Sequence, residues 1–233
     1  MVSNPVEVRD GWRILGLVVR VVLLLALLWG ALVAVLSSSP SPRTPGEFRA
    51  AVAAGRISSI GYRTVGEELY RLRWAEGPLI WHETSTVPIG DGPQIYSMAE
   101  FQKDVAGIPE RVSRLDGTDD SRGILPGWPF RAPTLGGIQW IGAAWFLSFL
   151  IMLGSVPRLG NRWAWFWLFT VGQIGAIVFL LLEPRPLWYG AGRRPAPRGR
   201  LTGGQGCLAS IGLGFLSAAA AAGVGWLAGL VLG

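Results

Sequence analysis

The amino-acid sequence predicts a membrane all-α protein, with about four transmembrane helices and a small α+β extramembrane domain between the first and the second. Three observations predict it. Half of the 233 residues are hydrophobic, only 15% are charged and the mean hydropathy is +0.39, a balance that water alone does not keep monomeric. The apolar residues fall into long blocks separated by Arg-, Pro- and Gly-rich breaks. Most acidic residues sit in one stretch, after the first block.

Residues 1–13 form a tail with Arg9 and Arg13, and residues 14–36 are apolar except for Arg20. At about 1.5 Å rise per residue this block crosses a hydrocarbon core of roughly 30 Å. It exceeds the roughly 7–15 apolar residues of a signal peptide, so a retained anchor is expected. Arg20 lies near its N-terminal end and is expected to snorkel, with the guanidinium among headgroups.

Residues 40–133 read as the extramembrane domain and its tether. Thr44-Pro45-Gly46-Glu47 places an N-cap, a Pro at the first helical position and a Glu three residues after the cap, ahead of Phe48, Ala51 and Val52, and Gly55 stops the helix. Ile57 to Arg63 then reads as a strand, and Leu69 to Glu76 as a second, with Tyr70, Leu72 and Trp74 alternating against Arg71 and Arg73. Gly77-Pro78 makes a turn into a third strand, Leu79 to Thr84, of one small antiparallel sheet holding Trp74 and Trp81. His82 and Glu83, adjacent on that strand, point to opposite faces and cannot be a base and its orienter, so a surface His is expected. Residues 88–93 read as loop. Ser97 and Glu100 form a second capping box, opening a helix with Phe101, Val105 and Ile108 on one stripe before Pro109. From Leu115 through Asp119-Asp120 to Pro133, Gly and Pro accumulate and periodicity vanishes, which reads as a tether. Two adjacent carboxylates without further spaced oxygen ligands make a poor calcium site, and no metal is expected.

Residues 135–153 and 163–182 are the second and third apolar blocks, separated by Pro157-Arg158-Leu159-Gly160-Asn161-Arg162, and are expected to form a transmembrane hairpin. Trp140, Trp145, Trp163, Trp165, Trp167 and Trp188 crowd these blocks and read as aromatic belts at the interfaces. Residues 183–206 form an Arg/Pro/Gly-rich loop, and residues 207–232 the last helix. That helix contains small residues from Ser217 to Ala222 and then Gly225, Gly229 and Gly233 at four-residue spacing, a smooth face suited to close helix packing within the chain or between chains.

One run resembles a known family. Thr44 to Ile60, TPGEFRAAVAAGRISSI, is similar to the start of the extracytoplasmic domain of FtsH-type membrane proteases, where an anchor helix precedes a Phe-containing helix, a Gly and a strand. The resemblance implies an interaction domain of similar shape. The family's ATPase and zinc protease do not carry over, because the chain has no G-x-x-x-x-G-K-[ST] loop and its one His excludes an H-E-x-x-H pair.

Arg9, Arg13 and Arg20 flank the first span on its N-terminal side and residues 37–42 carry no charge, so the N-terminus is expected inside and residues 40–133 outside. Four crossings then leave Arg185, Arg193, Arg194, Arg198 and Arg200 outside, against the same rule. The two signals conflict, and the first helix is given precedence.

One Cys and one His exclude an internal disulfide framework and a Cys/His zinc site. Beyond Arg20, the polar content of the spans is Gln139, Thr170, Gln173 and a few Ser, without the carboxylates of a coupled transporter. The net charge of +6 comes almost wholly from scattered Arg, so nucleic acid is not an expected partner. The expected function is a non-catalytic accessory or scaffold protein of the cell membrane, without catalytic residues, cofactor or metal. Its expected partners are the lipid bilayer and other membrane proteins or itself, with Gly225, Gly229 and Gly233 for helix packing. Arg193, Arg194, Arg198 and Arg200 are candidate lipid-headgroup contacts. A channel or permease component is the alternative, and a membrane enzyme acting on a lipid-like substrate a further one.

Overall fold

A computed structural model describes residues 5–65, 68–85, 97–108, 112–114, 140–170, 174–183 and 199–232. The described chain is mostly helical with one small mixed sheet: α1 (Pro5–Ser38), β1 (Ser41–Pro42), α2 (Pro45–Ala53), β2 (Ser59–Val65), β3 (Glu68–Ala75), β4 (Trp81–Ser85), α3 (Met98–Val105), β5 (Val112–Arg114), α4 (Trp140–Gly154), α5 (Arg162–Thr170), α6 (Gly175–Leu182) and α7 (Gly203–Leu232). Two helices, α1 over Ile14–Ser38 and α7 over Gly203–Val231, are long and apolar enough to cross a membrane. The loop at 88–93, the tether at 115–133 with Asp119 and Asp120, Trp188, Gln139 and Gln173 lie outside the described residues.

The chain divides into two units. The first takes residues 1–31 and 138–220, and its helices depart from the expected hairpin of two long spans. Where one span is expected over 163–182, the chain forms two short helices, α5 and α6, running antiparallel. At the near end, a Cβ on Gly175 would stand 2.3 Å from the backbone carbonyl of Leu168, so the start of α6 lies directly on the end of α5. At the far end the Glu183 carboxylate, just past α6, accepts the backbone N–H groups of Arg158 and Leu159, just before α5. Each helix is roughly 12–14 Å long, about half a hydrocarbon core. Hydropathy alone misses the reversal, because both halves are apolar and the turn between them adds no charge.

Aromatic rings fill this packing. Phe169 touches Phe149, Trp145 and Phe179 at centroid distances of 5.6, 6.1 and 5.7 Å, and Trp165 meets Phe179 edge-on at 5.1 Å. Trp165 is therefore a core residue and not part of an interfacial belt, while Trp140, Trp163 and Trp167 are exposed. Gly30 faces Ile141 of α4, and Gly206, in the first turn of α7, brings its backbone against Ala164 of α5, where a Cβ would stand 2.4 Å from Cα. A short pairing of Gly160 with Leu201 precedes that contact.

The second unit takes residues 32–124 and 221–233. Both predicted capping boxes form: Thr44 and Ser97 accept from the N–H groups of Glu47 and Glu100, whose carboxylates return to the cap N–H groups. Gly55, at φ +68, closes α2 as expected, with its own N–H on Val52 O and that of Arg56 on Ala51 O. The sheet is mixed and not purely antiparallel. Its order is β1-β4-β3-β2-β5, with antiparallel β2–β3 and β3–β4 flanked by parallel edges β1 and β5. These edge strands, of two and three residues, are too short for an alternation to register, and Pro42 suits only an edge.

The expected alternation holds at Leu72 and Trp74, which are buried with Ile60, Phe48 and Phe101 beneath α2 and α3. It breaks at Tyr70. The register steps from Arg63↔Arg71 to Thr64↔Leu69, passing over Tyr70, and Leu69 joins the core.

Candidate functional site

Polar side chains gather in two places, one in each unit. In the first they meet at the end of the α5–α6 hairpin where the chain enters and leaves it. Arg20 does not reach outward as snorkelling requires. It is 7% exposed and its guanidinium donates to Leu180 O, one of the last carbonyls of α6, which have no partner inside the helix. Glu183 follows three residues later and is fully buried. Its Oε1 takes the two N–H groups of residues 158 and 159, while Oε2 has no hydrogen-bond partner among the described residues. Asn161 then caps α5 by accepting from Ala164 N at 2.7 Å, and Gln205 and Thr202 exchange side-chain and backbone bonds ahead of α7. The arrangement ties four helix termini together. A sequence reading that assigns Glu183 to a loop misses it, although a lone carboxylate at the edge of an apolar run is the signal.

In the second unit the sheet has two unlike faces. The pairs Trp74↔His82 and Leu72↔Thr84 fix one face, toward α2 and α3. His82 lies on it and is 7% exposed, not at the surface, with its ring 5.3 Å from that of Trp74. Burial pushes its pKa below the ordinary value, although the Glu76 carboxylate, 3.8 Å from Nε2, opposes this. The Glu47 and Glu100 carboxyls are held below their ordinary values, first by the cap N–H groups of Thr44 and Ser97.

The other face carries charge. Arg73 pairs across with Glu83, Arg71 lies one rung further along β3, and Arg63 lies opposite Arg71 on β2. Glu83 receives the Nε of both Arg71 and Arg73, the latter at 2.6 Å. The Nε of Arg63 is shielded from solvent and has no hydrogen-bond partner among the described residues. Two guanidinium groups thus share one carboxylate, with Arg63 opposite Arg71 on the next strand, and the side chains of Arg71 and Arg73 remain 39% and 27% exposed. Trp81, two residues before Glu83, is on the same face. It lines a small hollow with Leu36 and Ser39 at the end of α1, Leu79 and Ile80 of the β3–β4 turn, and Ala228 and Gly229 of α7. A larger hollow of about 330 Å³ beside it is lined by residues 39–43 with Gly225 and Gly229. The arginine-bearing face is therefore the face turned to the helix ends.

The expected helix-packing residues separate here. Gly225 is in close contact within the chain, since a Cβ would meet Ser39 Oγ at 2.7 Å; Gly229 has no neighbour within 4 Å of that position, and Gly233 lies outside the described residues. Of the expected headgroup contacts, Arg200 is exposed just before α7, and Arg193, Arg194 and Arg198 lie outside the described residues. The closest backbone approaches, at Gly175 and Gly206, were not signalled by any regular spacing.

No family model, curated protein or solved structure matches the chain.

Proposed function

We propose that the protein is a non-catalytic, multi-pass accessory or scaffold of the cell membrane, with its N-terminus inside and residues 40–133 outside. In this reading α1, α4 and α7 cross, and α5–α6 is a re-entrant hairpin that returns to the side it entered. The observation that carries the topology is the contact of Gly175 with Leu168 together with that of Glu183 with residues 158 and 159. A reversal there puts Arg185, Arg193, Arg194, Arg198 and Arg200 on the same side as Arg9, Arg13, Arg158 and Arg162, and the conflict among the basic loops disappears. Half-length helices at membrane depth are tolerated where protein covers them, and the aromatic packing of α4, α5 and α6 supplies cover. The resemblance of residues 44–60 to an extracytoplasmic domain supports the outside placement.

The scaffold role is supported by α7. Leu208, Phe215, Leu216, Trp226, Leu230 and Val231 are all exposed, so this helix offers most of its apolar surface to lipid or to another helix. Mild-detergent purification with a photo-crosslinker at Phe215 tests the role. A single protein, or a second copy, crosslinked at fixed stoichiometry is the expected result; a monomer crosslinked only to lipid contradicts it. The alternative, a channel or permease component, is favoured by the paired half-helices alone, and solute flux through proteoliposomes that is lost in Thr170→Val would establish it.

A further inference from the structure

The geometry points to a second lipid contact, on the extramembrane domain itself: Arg63, Arg71 and Arg73 form a binding surface for the phosphate groups of anionic lipids in the leaflet the domain rests on. The inference rests on the reading that α1 and α7 cross a membrane.

The placement follows from the chain. Only Ser39 and Pro40 separate the end of α1 from β1, and β1 pairs with β4 through Ser41↔His82 and Pro42↔Glu83. Strands lie about 4.8 Å apart, so β3, next beyond β4, is roughly 10 Å from the strand that leaves the membrane helix. The headgroup layer adds about 5–8 Å to each side of the hydrocarbon core, and an arginine side chain covers the remainder. The face is the correct one, because Trp81 on it lines one hollow with Leu36 and Ala228 at the helix ends while the opposite face is closed by α2 and α3. Leu79 and Ile80 at the turn, the latter exposed, give the same edge an apolar tip suited to the interface.

The chemistry selects the ligand. A guanidinium presents a planar fork of donors that matches two phosphate oxygens. Glu83 neutralises one of the three positive charges and holds Arg71 and Arg73 side by side. A lipid phosphate neutralises a second and supplies acceptors near Arg63. An acidic protein segment offers the same charge, but the position beside the helix ends favours the bilayer, whose anionic headgroups are already at that depth.

The test uses the full chain in phosphatidylcholine nanodiscs with and without about 30% phosphatidylglycerol, reading headgroup contact as quenching of the domain's tryptophan fluorescence by spin-labelled phosphatidylglycerol, and recovery of the chain in the discs reports on the membrane reading separately. Arg71→Gln with Arg73→Gln should lower the apparent affinity for the labelled lipid about fivefold for each arginine removed, the factor equivalent to about 1 kcal/mol per basic side chain. Glu83→Gln should raise it, an effect that a purely structural role for the ion pair does not produce. Matched thermal melting in phosphatidylcholine alone separates loss of binding from loss of fold. Unchanged quenching in both variants overturns the proposal, as does equal displacement of the labelled lipid by soluble glycerol phosphate. A chain that fails to enter nanodiscs at all overturns the membrane reading, and the proposal with it.

Discussion

The mixed sheet and the helical hairpin are written in different alphabets. In residues 44–108 polar and apolar positions alternate, caps are spelled out in Thr44/Glu47 and Ser97/Glu100, and Gly55 falls where a left-handed residue is needed. Water imposes this pattern, because each face of the sheet has a different solvent. In helices α4 to α6 core and surface are both apolar, so Phe169 in the packed core and Phe146 at the exposed surface are the same residue type. What decides the fold there is where backbones touch, at Gly175 and Gly206, and where the few polar groups end, at Arg20 and Glu183.

The largest effect that sharpens this contrast is expected in the sheet. Trp74→Ala removes a buried ring that packs on Phe48 and His82 and should cost about 3–5 kcal/mol, enough to unfold the domain, as limited proteolysis of the full chain in detergent will show. Helices α4 to α6 should stay protected if the two units are independently stabilised.

Among the helices, backbone proximity and not glycine spacing should set the outcome. Gly206→Ala places a methyl within 2.4 Å of the Ala164 backbone and should cost about 1–3 kcal/mol, whereas Gly229→Ala, with open space at the same position, should stay within about 0.5 kcal/mol of the parent or gain slightly. Thermal melting in one detergent compares them; equal effects would restore the four-residue spacing as the better guide.

How much was legible follows the same division. The capped helices, the hairpin strands and the Leu72/Trp74 alternation are readable because each obeys a local rule. The bulge at Tyr70 and the parallel edges β1 and β5 are not, since both depend on partners distant in sequence. The reversal between α5 and α6 leaves little local signature beyond Gly172, Gln173 and Gly175, residue types that also occur elsewhere in the chain. Of the residues that form the candidate site, Arg71 and Arg73 are visible as the outward half of an alternation, while Arg63 joins them only through the register of β2.

A smaller effect concerns His82. Its pKa in the folded domain lies below the ordinary 6.5, so the unfolded chain takes up the proton first, and stability present above that value is lost as pH falls through it. Melting of the domain followed by tryptophan fluorescence should therefore move to lower temperature between pH 8 and pH 5, and His82→Phe should flatten the trend. Glu47 and Glu100 add their own loss only at lower pH, below the ordinary 4.5. The smallest effect is expected from Arg73→Ala, a partly exposed ion pair, at about 1 kcal/mol or less.

The central claim is the reversal of the chain between α5 and α6, and the side on which the Arg-rich loop emerges tests it most directly. With Cys207 replaced by Ala, single cysteines are placed at Ser3, Ser85 and Ala191 and intact cells are treated with an impermeant maleimide. A re-entrant hairpin predicts labelling at residue 85 alone, with residues 3 and 191 reacting only after permeabilisation. Labelling at residue 191 together with residue 85 would mean that residues 163–182 cross the membrane after all, and would contradict the account.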